Sequence, residues 1–173
     1  LEVLPAIIGL LVLLVTRKSF PLTGLVYVLI LIHCIILMVG GHYTYAEVPL
    51  FDWIRDSFDL TRNNYDKVGH FAQGFIPAMV AREILLRKQV VLVRSWLAFL
   101  VVCFCLAFSA FYELIEWAVA DIFFKAQGDA YLGTQGDVWD AQKDIFLAFI
   151  GAILATTIVS GIKKAFNSYE EEE

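Results

Sequence analysis

Six acidic or imidazole side chains recur at helical spacing inside or at the edge of long apolar segments: Asp66 and His70, Glu113 and Glu116, Asp140 and Asp144. An ionised group at mid-bilayer costs at least about 2.5–3.5 kcal/mol, so such groups turn toward a bundle interior and usually have a task there. Asp66, His70 and Gln73 fall at i, i+4 and i+7, which is one face of an α-helix. Ser109, Glu113 and Glu116 repeat at four and three residues, and Asp137, Asp140 and Asp144 at three and four. Carboxylates and an imidazole facing one another across a bundle are the means by which helices hold a divalent metal. On this reading Asp66, His70, Glu113 and Asp144 are the candidate ligands, and zinc, manganese and magnesium are all compatible with the set. Glu116 or Asp140 would act as general base, while Arg62, Asn64, Lys67 and Gln73 would contact an anionic headgroup.

Each residue also has a structural reading. Asp66 lies in the first turn of its helix, where the dipole favours a carboxylate, and Asp137 is placed to cap the last one. A lone histidine near a helix end is commonly a satisfied core residue. Arg62, Lys67, Lys143 and a protonated His70 could turn the whole set into a salt-bridged polar core. Glu113 resists such explanations, since it lies about seven residues from its helix end, roughly 10 Å deep at 1.5 Å per residue.

The elements that must position these groups are membrane helices. Of 173 residues, 60% are hydrophobic, too many for an ordinary soluble domain. Apolar segments predict an all-α, polytopic bundle in one domain spanning 1–173, with about five crossings near 1–16, 22–40, 66–87, 95–120 and 141–162. The chain begins with Leu1, and we read the short first stretch as a trimmed crossing, with an upstream sixth expected in a longer chain. Basic residues gather in the first connection (Arg17, Lys18), around the third (Arg82, Arg87, Lys88, Arg94) and after the last span (Lys163, Lys164). The positive-inside rule then puts those connections and the C-terminus in the cytoplasm of a bacterial inner-membrane protein, and the carboxylate stripes at the outer face.

The long second connection, 40–64, carries Phe51, Trp53, Ile54 and Phe58, the pattern of a short amphipathic helix lying in the interface at about 49–59. Gly128, Gly133 and Gly136 permit tight turns in the fourth connection. Gly40 and Gly41, Gly69 and Gly74, and Gly151 and Gly161 read as helix-packing or bend positions. Cys34, Cys103 and Cys105 all sit in apolar spans and read as small buried hydrophobes. The chain has no P-loop, Rossmann glycine pattern, H-E-x-x-H or G-x-S-x-G motif, and its few cytoplasmic basic residues do not fit nucleic-acid binding.

Three segments resemble the YjdF family of bacterial inner-membrane proteins: Arg62 to Phe75, Phe108 to Trp117 and Leu132 to Asp144. The resemblance runs in order from about Leu22 to Gly161. More distantly, Asp66-Lys67 before His70, an acid at Glu113 or Glu116, and Asp140 to Asp144 before a small-residue helix are similar to a VanZ-like pattern. The resemblance implies a polytopic inner-membrane protein with a loose link to the cell envelope, and it implies no activity. Our leading expectation is a pocket near the outer face that binds a metal, a lipid or envelope-precursor headgroup, or both, for metal-assisted hydrolysis or transfer. A proton-coupled transporter or small-solute permease, and a structural protein with a buried ionic network, are the alternatives.

Overall fold

A computed structural model of the chain describes residues 3–123 and 134–170, the last eight of these by backbone alone. Six α-helices carry the described residues: α1 (Leu4–Thr16), α2 (Gly24–His42), α3 (Pro49–Ser57), α4 (Tyr65–Arg87), α5 (Leu97–Phe123) and α6 (Asp140–Glu170). A single 3₁₀ turn, Arg94–Trp96, leads into α5, and no strand occurs among the described residues. Three segments, Gly24–His42, Arg94–Phe123 and Asp140–Ile162, are long and apolar enough to cross a membrane, and α1 is a shorter apolar helix. The expected turns at Gly128 and Gly133 lie outside the described residues.

The most polar long helix is also the most enclosed. Helix α4 carries Asp66, Lys67, His70, Arg82, Glu83 and Arg87, yet it packs against α2, α5 and α6 at once. Tyr65, Gly69, His70, Gln73, Gly74, Ala78 and Glu83 are all buried along it. Its neighbours, by contrast, expose Leu25, Leu31, Phe104, Phe111 and Phe146 outward. Polarity inside and apolar surface outside is the inverse of a soluble bundle and matches helices solvated by lipid.

Helix α6 explains how close the pieces sit. Its inward face repeats every four residues: Asp140, Asp144, Ala148, Ala152, then Thr156, all of them buried. A Cβ on Gly74 would collide with the backbone carbonyl of Ala148, and one on Gly151 would collide with the Phe71 carbonyl. The two helices therefore touch backbone to backbone, which in lipid gains dispersion contacts that larger side chains would forbid. Beyond this contact, Ala78, Leu97, Val101, Cys105, Ala152 and Ala155 close an apolar core between α4, α5 and α6. Gly161 has open space at its Cβ position, so it serves no close approach among the described residues.

Both ends of the bundle are latched by polar groups. At one end, Glu83 accepts hydrogen bonds from the Thr23 amide (2.9 Å), the Thr23 hydroxyl (2.7 Å) and Arg87 (2.6 Å). A carboxylate from α4 thus caps the orphan amide at the start of α2. At the other end, Asp52 of α3 accepts from Asn63 at 3.0 Å and Phe51 packs edge-on against Tyr65 with ring centres 5.2 Å apart, while Leu50, Trp53 and, just past the helix, Phe58 are exposed.

A carboxylate–histidine cavity between four helices

Asn63 sets the start of α4 and hence the position of everything on it. The residue is completely buried, and its Oδ1 accepts the Tyr65 amide at 3.1 Å, closing a local turn. Its Nδ2 donates to the Val48 carbonyl (3.1 Å) and to Asp52 Oδ1 (3.0 Å), which ties α3 to α4. The Asn63 backbone also exchanges two hydrogen bonds with the Gln135 side-chain amide, at 3.0 and 2.9 Å. Gln135 belongs to the segment leading into α6, so this clasp fixes the first turns of α4 and α6 against each other.

Those turns bring the charged residues together. Arg62 and Lys67 each donate to Asp140 Oδ1 at 2.5 Å, and Lys67 also donates to Asp144 Oδ1 at 2.7 Å. Arg62 stands 3.7 Å from Asp137 and 3.9 Å from Asp66, and Lys143 donates to Asp137 at 2.5 Å. Outside the helices, the Lys143 ammonium and the Trp139 amide hold the Asp137 carboxyl below the usual aspartate range. Asp140 and Asp144 are buried, and a lone carboxylate there would be costly without the two cations.

His70 sits one turn deeper. Its Nδ1 lies 2.9 Å from Gln73 Oε1, the geometry of a ring N–H donating to an amide oxygen. Its Nε2 faces Asp66 Oδ1 at 3.3 Å and Asp144 Oδ2 at 3.9 Å. One donor atom each from Asp66, His70 and Asp144 lie within 4.8 Å of one another. Ligands held tetrahedrally at 2.0–2.2 Å lie roughly 3.4 Å apart, so the spacing fits a single ion. A proton or a metal must occupy the space between Nε2 and the two carboxylates, since bare lone pairs there would repel.

Glu113 approaches from α5, with Oε1 3.5 Å from His70 Nδ1. That oxygen is buried and makes no hydrogen bond. Glu116 lies one turn on and forms no hydrogen bond or ion pair with a described residue, although it lines the same space. The space is a cavity of about 600 Å³. Asp66, His70, Gln73, Glu113, Glu116, Asp140 and Asp144 border it on one side, and Pro5, Ala6, Gly9, Ile30, Leu37 and Phe108 on the other. Asp66, Glu113, Glu116, Asp137, Asp140 and Asp144 are six carboxyls, set against four cations, Arg62, Lys67, Lys143 and His70 counted as charged.

The candidate residues thus sort by position. Asp66, His70 and Asp144 meet at one point, with Glu113 beside them and Gln73 behind the imidazole. Arg62 and Lys67 turn their charges on aspartates. Asn64 stands apart from the cavity wall and donates to the Arg62 carbonyl at 3.3 Å. The sequence reading passed over His33, which reaches the cavity from α2. A histidine midway along an apolar helix was the available signal. Tyr45, an aromatic of the second connection, also borders the cavity, placed by two consecutive left-handed residues, Thr44 (φ 51°) and Tyr45 (φ 54°). The Tyr45 ring occupies the space where a side chain at Gly40 would be, which assigns that glycine to ring packing.

No solved structure matches this chain. The family model described as "Predicted membrane protein (DUF2238)" matches residues 1–165. Inner membrane protein YjdF of Escherichia coli (strain K12) is 54% identical over 160 residues, covering 92% of this chain and 75% of that protein. With a family model over nearly its whole length and a relative at that identity, the chain belongs to the DUF2238 family of membrane proteins, alongside YjdF.

Proposed function

We propose that this chain is an inner-membrane protein of five crossings, with its C-terminus in the cytoplasm, that binds one divalent metal through Asp66, His70 and Asp144. The metal serves hydrolysis or transfer on a lipid or envelope-precursor headgroup entering the outer end of the cavity. Location follows from the printed name of the E. coli relative and from the apolar helices. Helix α4 is counted as a crossing because its polar residues are enclosed by α2, α5 and α6.

One observation carries the metal reading: His70 Nδ1 lies 2.9 Å from Gln73 Oε1 while Nε2 faces two carboxylate oxygens, the geometry in which Nδ1 donates and Nε2 is left to bind an ion. Metal-bound histidines are ordinarily fixed in this way through their second nitrogen. When bound, the ion would supply a Lewis acid. Lys67 keeps Asp144 Oδ1 occupied and its Oδ2 aimed at His70. Glu113 and Glu116 have the reach to exchange protons with a water or leaving group in the cavity. Asp140, with Arg62 and Lys67 on one oxygen, anchors the two cations.

Metal content of detergent-purified protein tests this. About one zinc or manganese per chain is expected, falling at least tenfold in His70→Ala and Asp144→Asn while Glu116→Gln keeps it. Equal metal content in all four proteins would overturn the assignment. A structural reading has its own support in the 2.5–2.7 Å contacts of Lys67 with Asp140 and Asp144, which would fix the register of α4 and α6. In that case the wild type would be metal-free and the His70→Ala protein would lose stability rather than an ion.

A further inference from the structure

The opposite end of the bundle carries two arginines that no acid answers. Ala78 packs into the apolar core with Leu97, Val101 and Cys105, which defines the face of α4 turned toward α5. Arg82 lies one turn beyond Ala78 on that same face, and it is half-buried. Arg94 stands in the 3₁₀ turn that begins α5, three residues before Leu97, which packs in the same cluster as Ala78, so the two arginines lie at one level of the bundle. Neither makes a hydrogen bond or ion pair with a described residue. The nearest carboxylate in sequence, Glu83, points the other way. Both of its oxygens are taken, by Thr23 and Arg87.

Arg87 makes a useful contrast, since it is fully engaged. It donates to Glu83 (2.6 Å) and the Pro21 carbonyl, and its guanidinium lies 4.1 Å from the Phe20 ring centre. Arg82 is half-buried beside the like charge of exposed Arg94 and has no counter-ion, an arrangement that an anion bridging the two would make favourable. The loop around the pair supplies the second observation. Val90, Leu92, Val93 and Trp96 are 63%, 87%, 59% and 56% exposed, a density of bare apolar side chains unsuited to water. Such a loop belongs in the headgroup and upper acyl layer, with Trp96 at the interface.

We propose that Arg82 and Arg94 form a binding site for the phosphodiester of an anionic phospholipid, whose acyl chains lie along Val93 and Trp96. Guanidinium groups match phosphate oxygens in paired, planar fashion, and the apolar loop selects a phosphate that arrives attached to lipid. This site stands at the far end of the bundle from the carboxylate cavity and is independent of it.

Native mass spectrometry of the protein in detergent, titrated with phosphatidylglycerol, phosphatidylcholine or soluble glycerol phosphate, tests the proposal. One phosphatidylglycerol should be retained per chain at least fivefold more tightly than phosphatidylcholine, with no glycerol phosphate bound. Arg82→Gln/Arg94→Gln should abolish that preference, whereas Arg17→Gln/Lys18→Gln, at the same end, should keep it. Melting temperature verifies folding, and Arg94→Gln alone, on an exposed turn, should weaken retention severalfold even if the double variant unfolds. Unchanged preference in Arg94→Gln would overturn the site. So would an equal loss in the Arg17→Gln/Lys18→Gln protein, which would indicate diffuse attraction, or tight binding of glycerol phosphate, which would indicate a soluble ligand.

Discussion

Replacing Gly74 with alanine should do more damage than its single methyl implies. Two terms oppose each other. Alanine is the better helix former by about 0.8–1 kcal/mol, which alone would make the variant more stable. Against this, the new Cβ falls on the Ala148 carbonyl, and that carbonyl is locked in the hydrogen-bond ladder of α6. No rotamer can relieve a backbone contact, so α4 and α6 must part by roughly 1 Å, forfeiting much of the dispersion energy between them. Overpacking of this kind costs typically 1–3 kcal/mol, and the rigid backbone puts Gly74 near the upper end.

The net expectation for Gly74→Ala is a loss of about 1–2 kcal/mol, by difference of those two terms. Gly161→Ala is the internal control, because its Cβ position is open and only the propensity term acts. It should be neutral or stabilising by up to about 1 kcal/mol. Unfolding in mixed micelles, followed by circular dichroism, measures both. The same displacement would stretch the Lys67–Asp144 contact of 2.7 Å, so Gly74→Ala should also weaken metal binding. Equal stabilities of the Gly74→Ala and Gly161→Ala proteins would refute the backbone-contact argument.

Three further outcomes follow from particular contacts. Lys67→Met leaves buried Asp140 and Asp144 short of a cation and should cost about 3–5 kcal/mol, read as a shift in the unfolding midpoint. Gln135→Ala removes both hydrogen bonds to the Asn63 backbone and should cost about 1–3 kcal/mol, and an unchanged unfolding midpoint would deny the clasp. The Asp137 carboxyl should titrate below the usual aspartate range in a carbon-detected magnetic resonance experiment. Its folded-state value is depressed, so the stabilisation it gives is present above the unfolded value and is lost as pH falls through the folded one. Lys143→Gln should move the titration upward; no movement would mean the ion pair is absent in solution.

Much of the helical plan can be read from the sequence because lipid makes ionisable residues conspicuous. Asp66, His70, Glu113, Asp140 and Asp144 stand out against apolar surroundings, and their spacing alone assigns each set to one helix face. Which partner each would find is a different matter. Arg62 and Lys67 are 78 and 73 residues from Asp140, and composition offered several acids for each. The Asn63–Gln135 clasp was illegible for the same reason, being a side-chain amide bound to a peptide backbone 72 residues away with no charge to mark it. His33 was legible in principle, and the absence of an acidic neighbour on its helix hid it. Gly74 and Gly151 read as packing positions, but nothing in the sequence told them apart from Gly161, whose surroundings are open.

X-ray absorption at the edge of the bound metal tests the central claim most directly. In the wild-type protein we expect one imidazole nitrogen, marked by the multiple scattering of its ring, and carboxylate oxygens at about 2.0–2.2 Å. A shell of oxygens alone, with no imidazole scattering, would contradict the assignment of His70, Asp66 and Asp144 as the ligands.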